Sequence, residues 1–163
     1  MRKTSYLSLG SNLGDREANL REAVRRLGEL GEIKAVSSVY ETEPVEFTNQ
    51  PWFLNIAVEL ATELMPRQLL SAALRIERDM GRRRLQPKGP RLIDIDILLF
   101  GNTVMSDARL TVPHPAMHER NFVLKPLAEI APDVRHPALK KPLKELLEEL
   151  PQPAPAVKKF AKF

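Results

Sequence analysis

The amino-acid sequence predicts an α+β domain built on a largely antiparallel β-sheet, with helices packed on it. The first observation is the order of the hydrophobic patterns, which gives strand, helix, two strands, helix and strand along the chain. The second is that 43% of the 163 residues are hydrophobic, which is enough to bury a core within one domain. This order is that of the ferredoxin-like split βαβ sandwich, to which the sequence adds extra C-terminal elements.

The chain is expected to form a single domain over residues 1–150, followed by a mobile basic tail over residues 151–163. The tail, PQPAPAVKKFAKF, is rich in proline, alanine and lysine, and chain ends of this composition are often mobile. The sequence contains no internal repeat that would indicate an array of smaller units.

The first half of the chain supplies a strand, a helix and two more strands. Residues 4–9 form the first strand, and Asp15 caps the helix that follows, which carries leucine and valine along one face. Residues 33–42 are rich in β-branched side chains and form the second strand. After a loop that contains two prolines, residues 52–60 form the third strand.

The second half begins with a helix that starts at Pro66 and stops at Gly81, the usual positions of proline and glycine at helix ends. Residues 93–100 form the fourth strand. Residues 101–102, Gly-Asn, predict a hairpin turn with a return strand over 103–105. The remaining predicted elements are a short extended segment over 110–112, a helical turn after Pro113, a helix over 123–130 with an internal proline and a helix over 143–150.

Composition excludes several classes of function. The chain has no cysteine, which excludes thiolate catalysis and cysteine metal sites and favours a reducing compartment, so we expect a cytoplasmic protein. No apolar run approaches the roughly 18 residues of a membrane span, and we expect no membrane partner. The basic start of the chain resembles a secretory signal, but its apolar stretch ends at Gly10, so we interpret it as a strand. No Walker A or G-x-G-x-x-G motif is present.

Two carboxylates lie close together in the strand RLIDIDILLF. Alternation places Asp94 and Asp96 on one face and three isoleucines on the other. At about 7 Å their repulsion is of order 2 kcal/mol at an effective dielectric of 20, which a divalent cation would reverse. The alternative is that both aspartates pair with Arg84 or Arg91, or face solvent.

A basic segment immediately precedes this strand. GRRRLQPKGPR, residues 81–91, carries five cations and no acid, and its glycines and prolines exclude a regular helix. Arginine matches the geometry of phosphate oxygens, so this loop can fold over a polyphosphate joined to the aspartates by Mg²⁺. A solvated basic loop or an RNA contact is the alternative, although a net charge of +4 does not by itself establish a nucleic-acid partner.

Other candidate site residues are aromatic, amide and imidazole side chains. Phe53 and Asn55 share a strand face and suit a flat heterocycle with amide-like edges, and Phe122 could supply a second ring. The same residues could simply pack the core and hold a loop. His114 and His118 are four residues apart in a proline-containing segment, where a phosphate contact by His114 is favoured over zinc, and a structural histidine is the alternative.

Four segments of the chain, taken in order, carry a family resemblance. They are LSLGSNLGDREANL, VYETEPVEFTNQPWFLN, IERDMGRRRLQPKGPRLIDIDILLFGN and LTVPHPAMHERNFVLKPLAEIAPD, which run from residue 7 to residue 133. Together they resemble the 6-hydroxymethyl-7,8-dihydropterin pyrophosphokinases of folate biosynthesis. Any one segment is a weak signal, whereas the ordered set is specific.

This resemblance implies transfer of the β,γ-pyrophosphoryl unit of ATP to the hydroxymethyl oxygen of the pterin, with release of AMP. It also implies two Mg²⁺ ions. We expect a monomer whose partners are ATP and the pterin, with no nucleic acid. The implied site residues are Asp94 and Asp96 for the metal; Arg82, Arg84 and Arg91, with both aspartates, for catalysis and the phosphates; His114, Arg120, Ile97 and Thr111 for further nucleotide contacts; and Thr42, Pro44, Val45, Phe53, Asn55 and Phe122 for the pterin.

Two other classes of function remain open on the sequence. A non-catalytic RNA-binding module of the same fold would use the basic loop and bind RNA with strong salt dependence. A regulatory domain that senses nucleotide through the metal would bind without turnover. The aspartate pair beside the basic loop favours the enzyme.

Overall fold

The computed structural model describes residues 1–43, 49–81, 91–152 and 154–163, and within these ranges a six-stranded sheet carries helices on both faces. The strands are β1 (Lys3–Ser11), β2 (Gly31–Val36), β3 (Val39–Thr42), β4 (Phe53–Thr62), β5 (Asp94–Phe100), β6 (Met105–Ser106), β7 (Thr111–Val112) and β8 (Val157–Ala161). The helices are α1 (Arg16–Leu27), α2 (Pro66–Asp79), α3 (Asn121–Ile130) and α4 (Leu143–Glu148), with a 3₁₀ turn at Met117–Glu119.

The sheet is antiparallel, as the sequence predicts. Its strands are arranged β5-β1-β4-β3-β8, β2 also pairs with β4, and neighbouring strands in the described ranges are antiparallel. The first and last strands of the split βαβ unit, β1 and β5, are therefore neighbours although α1, β2 to β4 and α2 lie between them in the chain. The predicted α+β fold of ferredoxin-like type is confirmed.

Helices α1 and α2 pack on one face of the sheet over the larger hydrophobic core. The α1 N-cap is confirmed, because Asp15 Oδ1 accepts a hydrogen bond from the N–H of Ala18 at 3.1 Å. The α2 ends are also as predicted, with Pro66 at its first turn and Gly81 just beyond it at a φ of +88°. None of the helices in the described ranges is long and apolar enough to cross a bilayer.

Helices α3 and α4 pack on the other face over a second, smaller core. Tyr6, Ala57 and Leu98 contribute to it from β1, β4 and β5, and Leu124 and Leu143 contribute from the helices. Leu124 and Leu143 have no exposed surface, so this half of the face is closely packed.

Two predicted elements differ from the structure. The strand expected over 33–42 is interrupted at Ser37. The Ser37 N–H donates to the Ala57 carbonyl at 2.9 Å, and the Ser37 hydroxyl oxygen accepts the Ala57 N–H at 2.9 Å. The turn at 101–102 is present, but its return strand does not pair with β5. Instead β6 pairs with β7, because Asp107 Oδ1 accepts the N–H groups of Arg109 and Leu110 and closes a tighter turn.

The C-terminal segment also differs from the prediction of a mobile tail. Val157–Ala161 forms β8, which adds to the sheet beside β3. Two aromatic residues anchor it, because Phe160 lies 5.7 Å from the guanidinium of Arg16 and Phe163 packs against the main core. The Pro/Ala/Lys composition gave no indication of this strand, because its partner β3 is distant in the sequence and leaves no local pattern.

Candidate active site on one half of a sheet face

On the face of the sheet that carries α3 and α4, hydrophobic core residues at one end of the strands are followed at the other end by residues outside both cores. Tyr6, Ala57 and Leu98 lie on this face in β1, β4 and β5. Every second residue further along each strand points to the same face, and these residues belong to neither hydrophobic core. We call the first three residues the helix half of this face. The continuing residues, which we call the site half, are Ser8, Gly10, Phe53, Asn55, Asp94 and Asp96.

Strand register brings the two predicted parts of the site together. Gly10 on β1 pairs with Asn55 on β4 and, on its other side, with Asp94 on β5. Adjacent strands are about 4.8 Å apart, so the backbones of Asn55 and Asp94 lie about 10 Å apart across Gly10. A Cβ at Gly10 would lie 2.7 Å from Asn55 Oδ1 and 3.4 Å from the Phe53 ring. Glycine is therefore required between the amide and the carboxylates.

Asp94 and Asp96 project from the same side of β5, as alternation predicts. Ile93, Ile95 and Ile97 lie buried in the main core on the opposite side. The pKa of Asp96 is raised to about 7, first by burial and then by the neighbouring charges of Asp94 and Glu77. The charged form of Asp96 is thus disfavoured until a cation approaches.

Arg91 lies beside this carboxylate pair. Its Nη1 donates to Asp94 Oδ2 at 2.8 Å, with side chains only 13% and 20% exposed. The alternative that an aspartate pairs with Arg91 therefore holds for Asp94 in this state. Arg91 Nε is buried and has no hydrogen-bond partner among the described residues. This guanidinium can still donate to an anionic ligand.

Glu77 is a third acid at this end of β5, and the sequence analysis missed it. It lies on α2, is 3% exposed, and its Oε2 accepts the N–H of Ile95 at 2.7 Å. It follows the buried Leu69 and Ala73 at intervals of four residues, so a carboxylate on an apolar helical stripe was the available signal. The described residues hold no group of three or more His, Asp or Glu side chains arranged to bind a metal, so any ion here needs ligands from elsewhere.

His114 and Arg120 approach the aspartates from the segment after β7. The backbone N–H of His114 donates to the carbonyl of Leu98 at 2.9 Å, which fixes this segment to β5. Burial and the charge of Arg120 lower the pKa of His114, and Asp94 opposes them. The charges of Arg120 and Asp94 therefore both act on the His114 imidazole. His118 instead faces His136, with ring centroids 6.2 Å apart, and it does not join this group.

Thr42 and Asn55 form the amide side of the site. Asn55 Nδ2 donates to Thr42 Oγ1 at 2.6 Å, and the two residues are 5% and 2% exposed. Phe53 is partly exposed two residues before Asn55 on the same strand face. Phe122 packs partly against the second core, and the guanidinium of Arg120 lies 5.7 Å from its ring.

Some predicted residues lie elsewhere. The side chain of Ile97 is 4% exposed in the main core, so only its backbone can face a ligand. Thr111 lies on β7 and its hydroxyl is 3.0 Å from that of Ser106. The predicted residues outside the described ranges are Pro44, Val45, Arg82 and Arg84.

Asn12 links the two sides of the site and was not predicted from the sequence. Its Oδ1 accepts the N–H of Arg91 at 2.7 Å, and its own N–H donates to the Arg91 carbonyl at 3.0 Å. Its Nδ2 donates to Gln50 Oε1 at 2.7 Å and to the Pro51 carbonyl at 3.1 Å. The only sequence signal was its place in the turn that ends β1.

Comparison with known proteins gives a consistent set of relatives. A family model described as 7,8-dihydro-6-hydroxymethylpterin-pyrophosphokinase (HPPK) matches residues 6–132. A protein of Aquifex aeolicus named 2-amino-4-hydroxy-6-hydroxymethyldihydropteridine pyrophosphokinase is 44% identical over 146 residues, covering 90% of this chain and 91% of its own. A Bacillus subtilis protein of the same name is 48% identical over 140 residues, covering 85% and 84%.

Longer proteins also match. Folic acid synthesis protein fol1 of Schizosaccharomyces pombe is 43% identical over 151 residues, which are 91% of this chain and 21% of that protein. The solved structure of wild-type Plasmodium falciparum HPPK-DHPS with pterin and p-hydroxybenzoate has a TM-score of 0.72 and 18% identity, covering 91% of this chain and 42% of that one. This structural likeness supports the fold, and the chain spans less than half of each of these two proteins.

Proposed function

The chain belongs to the 7,8-dihydro-6-hydroxymethylpterin-pyrophosphokinase family, and we propose that the site half of the sheet is where it carries out that family's reaction. The enzyme transfers pyrophosphate from ATP to the hydroxymethyl group of 6-hydroxymethyl-7,8-dihydropterin in folate biosynthesis, leaving AMP. ATP is the co-substrate. We further propose that the chain acts as a single domain and as a monomer.

One observation carries the assignment of the site. Gly10 pairs with Asn55 on one side and with Asp94 on the other. An amide suited to a pterin edge and a carboxylate suited to a metal–phosphate group therefore lie about two strand spacings apart, on one face. A hydroxymethyl acceptor held at Asn55 and a triphosphate held at Asp94 would meet over Gly10, where a side chain is absent.

The carboxylate pair fits magnesium. Asp96 has a raised pKa because it is buried beside two other acids, and a divalent cation would relieve this repulsion. Mg²⁺ commonly uses one or two carboxylates and takes its other ligands from phosphate and water, which suits a site without a third metal-binding side chain in the described residues. We propose that Asp94 and Asp96 hold two Mg²⁺ ions, which would neutralise the phosphates of ATP during transfer.

Arginine and histidine side chains would bind the phosphates. Arg91 has a buried Nε that lacks a partner among the described residues, and a phosphate oxygen would satisfy it. His114 and Arg120 lie near Asp94 and Asp96 and would contact the nucleotide. The remaining proposed nucleotide residues are Arg82 and Arg84 in the basic segment, the backbone of Ile97, and Thr111.

The pterin would lie on the amide side. Asn55 and Thr42 offer a hydrogen-bonded amide and hydroxyl, and Phe53 and Phe122 would lie against the two faces of the ring. Pro44 and Val45 complete the proposed pterin set. Catalysis on these residues consists of holding the acceptor oxygen and the triphosphate in line and of neutralising charge, so positioning supplies most of the rate enhancement.

Product analysis tests the proposal. Incubation of the protein with ATP, Mg²⁺ and the hydroxymethyl dihydropterin should yield AMP and the pterin diphosphate in equal amounts. Release of ADP would contradict pyrophosphoryl transfer. Tight RNA binding that survives Asp94→Ala, without any AMP, would instead favour a binding module.

A further inference from the structure

The C-terminal segment 154–163 lies outside the family match, which ends at residue 132, yet it contacts the elements that carry the proposed pterin residues. We propose that this segment is a positioning element for the pterin side of the site. This inference rests on the proposed function, and it adds that pterin affinity, separately from nucleotide affinity, depends on contacts made by the tail.

The first set of contacts holds the end of β3. Val157 pairs with Thr42, the residue whose hydroxyl accepts from Asn55. One residue further on, Glu43 N–H donates to the Ala156 carbonyl at 3.3 Å, and Glu43 Oε1 accepts the Ala156 N–H at 2.7 Å. The tail thus fixes the backbone and the side chain at the exit of β3, immediately before proposed pterin residues 44 and 45.

The second set of contacts holds the start of α3. Asn121 Nδ2 donates to the Pro155 carbonyl at 2.6 Å, and Lys125 Nζ donates to the Val157 carbonyl at 3.3 Å. Asn121 directly precedes Phe122, one of the two proposed ring contacts. Three consecutive tail residues, 155–157, therefore join β3 to α3, the elements that carry Thr42 and Phe122 of the proposed pterin side.

The third set of contacts lies at the segment before Phe53. Lys158 Nζ is 6.0 Å from the Trp52 ring. Arg16 Nη1 donates to the Trp52 carbonyl at 2.9 Å while its guanidinium lies 5.7 Å from the Phe160 ring. The hydrogen bonds and ring contacts of 154–163 in the described residues go to these elements and to α1, away from the aspartates.

The test uses the protein of residues 1–163 with tail contacts removed by substitution. The double variant Glu43→Ala/Asn121→Ala deletes the tail's side-chain bond at the end of β3 and the shorter of its two side-chain bonds at α3, and it leaves the Lys125 bond in place. We expect pterin dissociation constants, measured by fluorescence with Mg²⁺ and a nonhydrolysable ATP analogue, to rise about 20-fold, at about fivefold per lost bond. The affinity for the Mg²⁺-bound analogue alone should change less than about twofold.

Matched variants separate positioning from general stability. Glu43→Gln keeps an oxygen acceptor for the Ala156 N–H and should bind the pterin nearly as the wild type does. Lys162→Ala, an exposed tail residue, is the control that should change neither affinity. Should the double variant not fold, Asn121→Ala alone still predicts about a fivefold loss, because it removes one bond at a chain surface.

Three outcomes overturn the inference. Unchanged pterin affinity in the double variant would mean that the tail contacts do not position the pterin residues. Equal loss of pterin and nucleotide affinity would mean that the tail only stabilises the fold. Failure of the wild-type protein to bind the pterin at all would overturn the proposed function itself. This outcome is seen in the wild-type measurement alone, whereas the other two outcomes are seen only in the variant.

Discussion

The helix half and the site half of the same sheet face use the same three strands and the same alternation, but they differ in what covers them. In the helix half, Tyr6, Ala57 and Leu98 pack against α3 and α4 and are nearly inaccessible. In the site half, Gly10, Asn55 and Asp94 occupy one row without joining a core. One face of the sheet can thus stabilise the fold through its helix half and carry the reactive side chains on its site half. The two should respond separately to substitution.

The largest expected effect comes from removing a carboxylate of the site half. Asp96→Asn keeps the shape of the side chain but removes a metal ligand, so we expect kcat/KM to fall by about 1000-fold, equivalent to about 4 kcal/mol. The same change removes a buried charge that is costly without metal, so the melting temperature of the metal-free protein at pH 8 should rise. AMP release and thermal melting measure the two effects. A lower melting temperature would mean that Asp96 stabilises the fold directly.

The second prediction is the converse change in the helix half. Leu124 is fully buried between α3 and the sheet, and Leu124→Ala should lower the free energy of unfolding by about 3 kcal/mol through lost burial and a cavity. Because the Leu124 side chain lies in the second core and the substitution keeps its backbone N–H, kcat/KM of the folded protein should stay within about threefold of the wild type. Urea melts and initial rates below the transition check this. A large loss of kcat/KM in folded protein would show that the two halves are coupled.

The third prediction places a methyl group at the centre of the site half. In Gly10→Ala the new Cβ would meet Asn55 Oδ1 at 2.7 Å and the Phe53 ring at 3.4 Å, so both side chains must move. We expect pterin affinity to fall about tenfold, since strain of about 1–3 kcal/mol is typical of overpacking. Nucleotide affinity, measured on the same sample, serves as the internal control. Equal pterin binding by the two proteins would place the ring away from Gly10.

The fourth prediction concerns pH. Because the pKa of Asp96 is about 7, protons compete with Mg²⁺, and the Mg²⁺ concentration for half-saturation should rise about tenfold from pH 8 to pH 6. In the metal-free protein the raised pKa means that the folded state binds this proton more tightly than the unfolded chain. The stabilisation from that proton is full below about pH 4 and is lost as the pH rises through 7.

The control for both pH effects is Asp96→Asn, which cannot titrate at this position. Its Mg²⁺ requirement, though higher, should depend less on pH, and the difference in melting temperature between wild type and variant should grow from pH 5 to pH 8. If the difference is constant over that range, Asp96 does not carry the raised pKa.

Local patterns predicted a large part of this structure. The period-2 alternation of β5 was sufficient to place Asp94 and Asp96 together and opposite the isoleucines, because neighbouring residues of one strand need no partner to set their faces. Helix ends at Asp15 and Pro66 followed from capping rules for the same reason. The family resemblance then supplied roles that the pattern alone left open.

Features that depend on distant partners were not predictable. The row from Asn55 through Gly10 to Asp94 requires the register of three strands, which the sequence does not encode locally. The pairing of β6 with β7, the addition of β8 beside β3 and the contact of Glu77 with β5 each depend on a choice between competing partners. That choice is decided by packing and hydrogen bonding in the folded chain.

Two of the outer strands of the sheet, β5 and β8, have a consequence for behaviour at high concentration. An outer strand normally offers unpaired N–H and carbonyl groups on which a second molecule can assemble, leading to aggregation. At β5 the Glu77 carboxylate occupies the N–H of Ile95. At β8 exposed Lys158 and Lys159 place positive charges where a second copy would have to approach. These two edges of the sheet thus oppose fibril-like growth.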